Sequence, residues 1–221
     1  MTYRLSASSL KIIAAVTMLI DHVGLLFFPG DPLWRLVGRI SFPLFAFLIA
    51  EGYRHSRDRE AYAFRLGLLA LISQMPFMLM LDAAGIEPAT LNIFFTLLAG
   101  LISIALVDRL TAAQAVPGVL ALVGAAELLR FDYGAYGVLM ILASALFLRR
   151  RNLGAVVLAT LSIVRALSFG LASLSMQLFA PFALPFLFAY NGSKGRALPR
   201  ALFYWFYPVH MLLLWLIWAF I

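Results

Sequence analysis

Apolar stretches of about 20 residues recur along the 221-residue chain, and short clusters of basic residues separate them. A helix of that length crosses the hydrocarbon core of a bilayer. Only 12% of the residues are charged, whereas a soluble domain carries about 25% because its surface faces water. The sequence therefore predicts an all-α integral membrane protein, with membrane lipids as its surroundings.

We count about nine such segments, and we treat residues 1–221 as a single transmembrane domain because no internal repeat or linker is evident. Residues 153–190 are the hardest to divide, since only Gly170 marks a turn there, and whether they form two full spans stays open. The predicted segments are Ser8–Phe28, Leu33–Tyr53, Glu60–Leu81, Leu91–Val107, Val116–Leu129, Tyr133–Leu148, Leu153–Ala166, Leu171–Tyr190 and Ala201–Ile221.

The basic clusters fall in alternate connections, which predicts an N-terminus in the cytoplasm and a C-terminus outside. The formal charge of +7 therefore does not indicate nucleic-acid binding, because no single basic face is formed. Asp21 and His22 interrupt the first apolar stretch, so we expect it to be a retained helix and not a signal peptide. We expect a multi-pass protein of the bacterial inner membrane. The basic residues concerned are Arg4, Arg54, Arg57, Arg59, Arg109, Arg149, Arg150, Arg151, Lys194, Arg196 and Arg200.

Ionisable residues inside the first two segments predict a functional site. Lys11 and His22 are eleven positions apart, which places them on one stripe of a helix, whereas Asp21 points about 100° away from His22. Arg35 and Arg39 share a face of the second segment, and a short turn joins it to the first. Because buried charges are costly without partners, we expect Asp21 or His22 to contact these arginines.

Three further sets of polar residues each allow a functional and a structural interpretation. Glu51, Arg54 and His55 share a helix face and form either part of a binding site or a solvated cap with an ion pair. Asn92 and Thr96 either bind substrate or join helices by hydrogen bonds. Tyr207 and His210 share a face of the last segment, where His210 is either a site residue or a satisfied buried histidine.

Several runs of the sequence resemble the TraX family of integral membrane acetyltransferases, in the order in which the family carries them. Gln74 departs from the pattern, because a family member is expected to carry Glu before the Pro-Phe pair. The runs are LKIIAAVTMLIDH (10–22), GRISFPLFAFLIAEGYRHSRDREAYAFRL (38–66), SQMPF (73–77), NIFFTLLAG (92–100), DYGAYG (132–137) and FYPVHMLLL (206–214).

The resemblance implies an acetyl-CoA-dependent N- or O-acyltransferase that acetylates a pilin or other peptide amine, a surface sugar or a small amine. The family also resembles membrane acyltransferases whose first helix carries an arginine and a histidine with ten residues between them. Lys11 and His22 have this spacing here, with lysine in place of arginine. The similarity implies that His22 is the catalytic base or an acyl carrier, and that acetyl-CoA is the donor. No metal is expected.

The chemistry of acyl transfer suits the same residues. It needs a base for the acceptor's proton and positive charge for the oxyanion, for which we assign His22 and then Arg35 and Arg39, oriented by Asp21. Lys11 and the cluster of Arg54, Arg57 and Arg59 beside Glu51 and His55 suit the phosphates of coenzyme A. A small proton-coupled transporter and a non-catalytic membrane assembly factor remain alternatives.

Overall fold

The computed structural model describes residues 4–87, 89–168, 174–196 and 199–221, and all regular elements in these ranges are helical. The predicted all-α membrane fold is confirmed. A 3₁₀ turn covers Ala180–Ala183. The α-helices are α1 (Ala7–Phe27), α2 (Pro32–Gly38), α3 (Ser41–His55), α4 (Arg59–Ala83), α5 (Ile93–Arg109), α6 (Ala112–Leu128), α7 (Gly134–Arg149), α8 (Arg151–Ser168), α9 (Leu174–Gln177), α10 (Leu184–Phe188) and α11 (Arg200–Phe220).

The predicted segments match the helices of the described residues with two exceptions. Seven predicted segments each correspond to one helix, but the second is divided and the eighth is broken. By length and composition, five helical stretches of the described residues could cross a membrane, and α6 and α7 are shorter apolar helices. The five stretches are Ala7–Phe27, Pro32–His55, Arg59–Ala83, Arg151–Ser168 and Ala201–Phe220.

Pro43 explains why the second segment divides into α2 and α3. A proline ring has no N–H and collides with the carbonyl four residues earlier, which is that of Arg39. The chain accordingly turns at Arg39 and Ile40, where the Arg39 N–H donates to the carbonyls of Arg35 and Leu36, each at 3.2 Å. Asp31 caps the start of α2 by accepting from the Leu33 N–H at 3.0 Å. The two arginines are thereby held on a short helix at the end of α1.

Two prolines likewise break the eighth segment into α9, the 3₁₀ turn and α10. Pro181 has no N–H to donate to the carbonyl of Gln177, where α9 ends, and Pro185 likewise cannot donate to the carbonyl of Pro181. The predicted start at Leu171 and the turn at Gly170 lie outside the described residues. What is described of this segment contacts α2, α3 and α8, so it crosses the bundle as irregular chain.

The first and last helices run parallel to each other. Near their starts, Lys11 Nζ lies 5.3 Å from the centroid of the Phe203 ring, and further along His22 contacts His210. At the end where α1 starts, the Leu5 N–H donates to Ala189 O at 2.8 Å, and Arg151 at the start of α8 donates to Tyr190 O at 3.0 Å. We call this the basic end, because the predicted basic connections converge there.

Candidate functional site

A cavity of about 1220 Å³ extends from the basic end to the opposite end of the bundle. Arg57, Lys194 and Arg196 line it at the basic end, and Thr90 and Asp132 line it at the other. Lys11, Asp21, His22, Arg35 and Arg39 also line the cavity. The predicted catalytic residues and part of the predicted donor cluster therefore share one internal space.

Asp21 binds both arginines, as the sequence predicted. Its Oδ2 lies 2.7 Å from Arg35 Nη1, and its Oδ1 lies 3.2 Å from Arg39 Nη2. Arg39 Nε also donates to Arg35 O at 3.2 Å, which ties the two arginines together. Asp21 is only 9% exposed, and a Cβ on Gly38 would collide with its carboxylate, so this contact needs glycine. Two guanidinium groups and one carboxylate leave a net charge of +1 beside the cavity.

His22 is oriented by a second imidazole. His22 Nδ1 lies 2.7 Å from His210 Nε2, and His210 Nδ1 lies 2.6 Å from Phe206 O. A carbonyl only accepts, so His210 Nδ1 carries the hydrogen and, in a neutral ring, Nε2 carries a lone pair. That lone pair accepts from His22 Nδ1–H. The Nε2 lone pair of His22 is therefore left available as a base.

His210, which the sequence assigned either to the site or to a satisfied buried position, is buried beside His22. It is 6% exposed and is not among the residues that line the cavity. Its ring stacks parallel to that of His22, with the centroids 5.0 Å apart. His210 therefore contacts His22 directly. The run FYPVH pointed to His210 as a residue of interest, but a single sequence does not show which helix its imidazole contacts.

Tyr207 and Asp132 complete the lining near His22. Tyr207 is 5% exposed, and its ring centroid lies 6.5 Å from that of His22. Asp132 precedes α7, and Thr96 Oγ1 donates to its main-chain oxygen. Removal from water raises the pKa of the Asp132 carboxyl to about 6, against the opposing effect of Arg39. Sequence reasoning missed Asp132 as a site residue, although it begins the run DYGAYG.

Comparison with known proteins identifies the family. A family model described as TraX protein matches residues 6–218. The chain belongs to the TraX family. It is 34% identical, over 232 aligned residues, to the probable fimbrial assembly protein FimC of Dichelobacter nodosus, covering 95% of this chain and 94% of that protein. No solved structure matches the chain.

In this TraX-family protein the predicted donor cluster is divided between different surroundings. Lys11, Glu51, His55 and Arg57 line the main cavity, whereas Arg54 does not. Arg59 also does not line it: its Cζ lies 4.2 Å from the Tyr53 ring centroid, and its Nη1 pairs with Asp108 at 3.4 Å.

Glu51 is not part of a solvated cap, because it is only 6% exposed. The Tyr190 hydroxyl donates to its Oε1, and His55 Nδ1 lies 3.1 Å from the same oxygen. The Oε2 atom of Glu51 is buried and has no hydrogen-bond partner among the described residues. The structural interpretation of this set as a surface ion pair is therefore wrong for Glu51.

Asn92 and Thr96, predicted either to bind substrate or to join helices, form hydrogen bonds between separate elements. Both are fully buried and neither lines the cavity. Asn92 Nδ2 donates to Ala70 O at 2.7 Å and to Gln74 Oε1 at 2.8 Å, and Asn92 Oδ1 caps α5. Gln74 also donates to Thr90 O at 2.9 Å, so the residue that departs from the TraX pattern holds α4 against the start of α5.

Proposed function

We propose that this TraX-family protein is an integral membrane acetyltransferase that transfers an acetyl group from cytoplasmic acetyl-CoA to an acceptor amine. The observation that carries the proposal is the continuous cavity, which joins a cationic end to an oriented histidine. The proposal places the protein in the bacterial inner membrane with the basic end in the cytoplasm, as the distribution of Lys and Arg favours.

His22 acts as the general base in this proposal. Its Nε2 removes a proton from the acceptor nitrogen as that nitrogen attacks the thioester carbonyl. The tetrahedral intermediate then collapses, the C–S bond breaks, and the sulfur leaves with the proton held by His22. The products are an N-acetyl group and free coenzyme A, and His22 returns to its starting state. His210 keeps the Nδ1–H of His22 fixed throughout.

The group of Asp21, Arg35 and Arg39 supplies positive charge for the oxyanion. An isolated arginine at this depth would be costly to bury, and Asp21 offsets part of that cost by pairing with both guanidinium groups. Fixed positive charge in a site shielded from water stabilises the negative charge that develops on the carbonyl oxygen. The proposed role of Asp21 is therefore to hold the arginines and not to orient His22.

The two ends of the cavity suit the two substrates. Lys11, Arg57, Lys194 and Arg196 attract the phosphates of the donor at the basic end. At the opposite end the Asp132 carboxylate is placed to attract a protonated amine, which loses one proton to water before the neutral amine attacks. Because the relative FimC is named for fimbrial assembly, we propose the N-terminal amine of a fimbrial subunit as the acceptor.

The same name favours a second candidate, a non-catalytic factor in fimbrial assembly. Release of free coenzyme A separates the two functions. Purified protein is supplied with acetyl-CoA and a peptide that has the subunit's N-terminus. His22→Ala should reduce turnover by 10²- to 10⁴-fold, while the melting temperature changes little. His55→Ala is the matched control, since it removes an imidazole from the basic end of the same cavity.

The control should retain the maximal rate. Near-native transfer by His22→Ala would contradict the assignment of the base. Absence of coenzyme A release from the unmodified protein with every amine tested would favour the assembly factor. Mass spectrometry after incubation with acetyl-CoA alone distinguishes a carrier, which would retain acetyl on His22, from direct transfer.

A further inference from the structure

A second cavity, of about 500 Å³, lies at the basic end. Three arginines line it: Arg4 before α1, Arg54 near the end of α3 and Arg151 at the start of α8. Phe188 supplies part of an apolar wall. The cavity is separate from the proposed reaction site, although Glu51, His55 and Tyr190 line both.

The fold brings these three arginines together from distant parts of the chain. A parallel bridge between Leu5 and Tyr190 fixes the segment that carries Arg4. Arg151 donates to Tyr190 O at 3.0 Å, and the Tyr190 hydroxyl donates to Glu51 in the last turns of α3. Tyr190 thus fixes all three arginine-bearing segments around one cavity.

The charge of this cavity is not neutralised by the protein. Nearby Arg59 and Arg149 both pair with Asp108, but among the described residues Arg4 and Arg54 form no ion pair with a carboxylate. Glu51 is the one acidic residue in the described lining, and three arginines against it leave a net charge of +2 with His55 neutral. Gathering like charges costs free energy that an anion would recover.

We propose that this second cavity binds a phosphate group. Guanidinium groups match phosphate through paired N–H donors, and a phosphate carries one to two negative charges, which the +2 cavity balances. The group could come from an anionic phospholipid, since basic pockets between helix ends bind lipid head groups. It could also be the 3′-phosphate of coenzyme A, and that source alone rests on the proposed function.

The test compares two double variants by ligand binding in neutral detergent. Arg4→Gln with Arg54→Gln removes two cations that make no ion pair. Arg109→Gln with Arg150→Gln removes the same charge from exposed positions at the same end that line neither cavity. The probes are short-chain phosphatidylglycerol, phosphatidylcholine of equal chain length, coenzyme A and dephospho-coenzyme A, with native mass spectrometry and melting temperature as readouts.

The cavity variant should lose at least about tenfold in affinity for phosphatidylglycerol or for coenzyme A. The control double variant should stay within about twofold of the unmodified protein. Preference for phosphatidylglycerol over phosphatidylcholine identifies a lipid as the source. Preference for coenzyme A over its dephospho form identifies the 3′-phosphate. Equal affinities in both double variants, or binding of no probe, would overturn the proposal. Because only binding is measured, the result does not depend on acetyl transfer.

Discussion

At the scale of single residues, the contacts of each ionisable group near the cavity depend on which helices the fold brings together. The sequence predicted that Asp21 or His22 contacts the arginines of the second segment, because a short turn joins the segments and buried charges need partners, and the structure shows that Asp21 contacts both arginines. The sequence was not sufficient for His22, whose partner lies 188 positions away on another helix. Nor did it separate Arg54, near the end of α3, from Arg57 in the following loop, although these two residues line different cavities.

His210→Ala should lower the maximal rate of acetyl transfer by on the order of 10²-fold with little change in the KM for acetyl-CoA. The reason is that His22 Nδ1–H would lose its acceptor, and the ring would no longer be held with Nε2 as the base. Steady-state kinetics with varied acetyl-CoA measures this. His210→Gln should recover part of the rate, because an amide oxygen also accepts. Equal losses in both variants, with equal falls in melting temperature, would indicate a packing role only.

Asp132 should make the stability of the protein depend on pH. Its pKa of about 6 in the folded protein exceeds its ordinary value of 3.8, so the folded state binds more protons between those values. Stability should therefore fall as pH rises through that range, by up to about 3 kcal/mol. Asp132→Asn should flatten the melting-temperature profile between pH 4 and 7. Asp82→Asn removes an exposed carboxylate and should leave the melting-temperature profile unchanged. A flat profile in the unmodified protein would contradict the role given to Asp132.

At the scale of helices, hydrophobicity and turn residues predicted the bounds of most elements to within a few residues. The two failures have one cause, because apolar runs were read as continuous helices across Pro43, Pro181 and Pro185. Pro76, Pro117 and Pro208 do lie inside helices, so proline alone does not decide the outcome. In the eighth segment two prolines four residues apart each remove a helical hydrogen bond, whereas in the second segment the single Pro43 coincides with the turn at Arg39 and Ile40.

Gly38→Ala should disrupt the contact between α1 and α2. The added methyl group would collide with the Asp21 carboxylate, so either α2 moves away or Asp21 leaves its arginines. We expect a loss of about 1–3 kcal/mol in stability, together with reduced acetyl transfer, measured by thermal unfolding and coenzyme A release.

Gly124→Ala provides the contrast for that variant. A Cβ at Gly124 in α6 meets nothing within 4 Å, so the higher helix propensity of alanine should leave stability unchanged or raise it by up to about 1 kcal/mol. If the two variants unfold alike, close approach at Gly38 is not what the fold requires.

At the scale of the whole molecule, α1 and α11 run parallel, so the start of α1 and the end of α11 lie at opposite ends of the bundle. The alternation of basic clusters anticipated this arrangement, even though one crossing is irregular. What a sequence cannot supply is the shape of the space between helices. The continuous cavity and the separate arginine-lined one depend on packing among residues that are far apart along the chain.

Single cysteines can test the proposed orientation, because the chain contains no cysteine of its own. Gly30 and Ser193 are both exposed and lie at opposite ends of the bundle. With an impermeant maleimide on spheroplasts, Gly30→Cys should be labelled at once and Ser193→Cys only after permeabilisation. The reverse pattern would invert the orientation and move the proposed donor site outside the cell.

The pairing of His22 with His210 also sets an order of events during biosynthesis. His22 emerges with the first helix, whereas its acceptor arrives only with α11, 188 positions later. A nascent chain that has inserted every helix except α11 would already hold Asp21 with its arginines, yet would lack the orienting imidazole. The proposed enzyme would therefore become fully competent only after α11 has inserted, and chains that lack α11 would consume acetyl-CoA much more slowly.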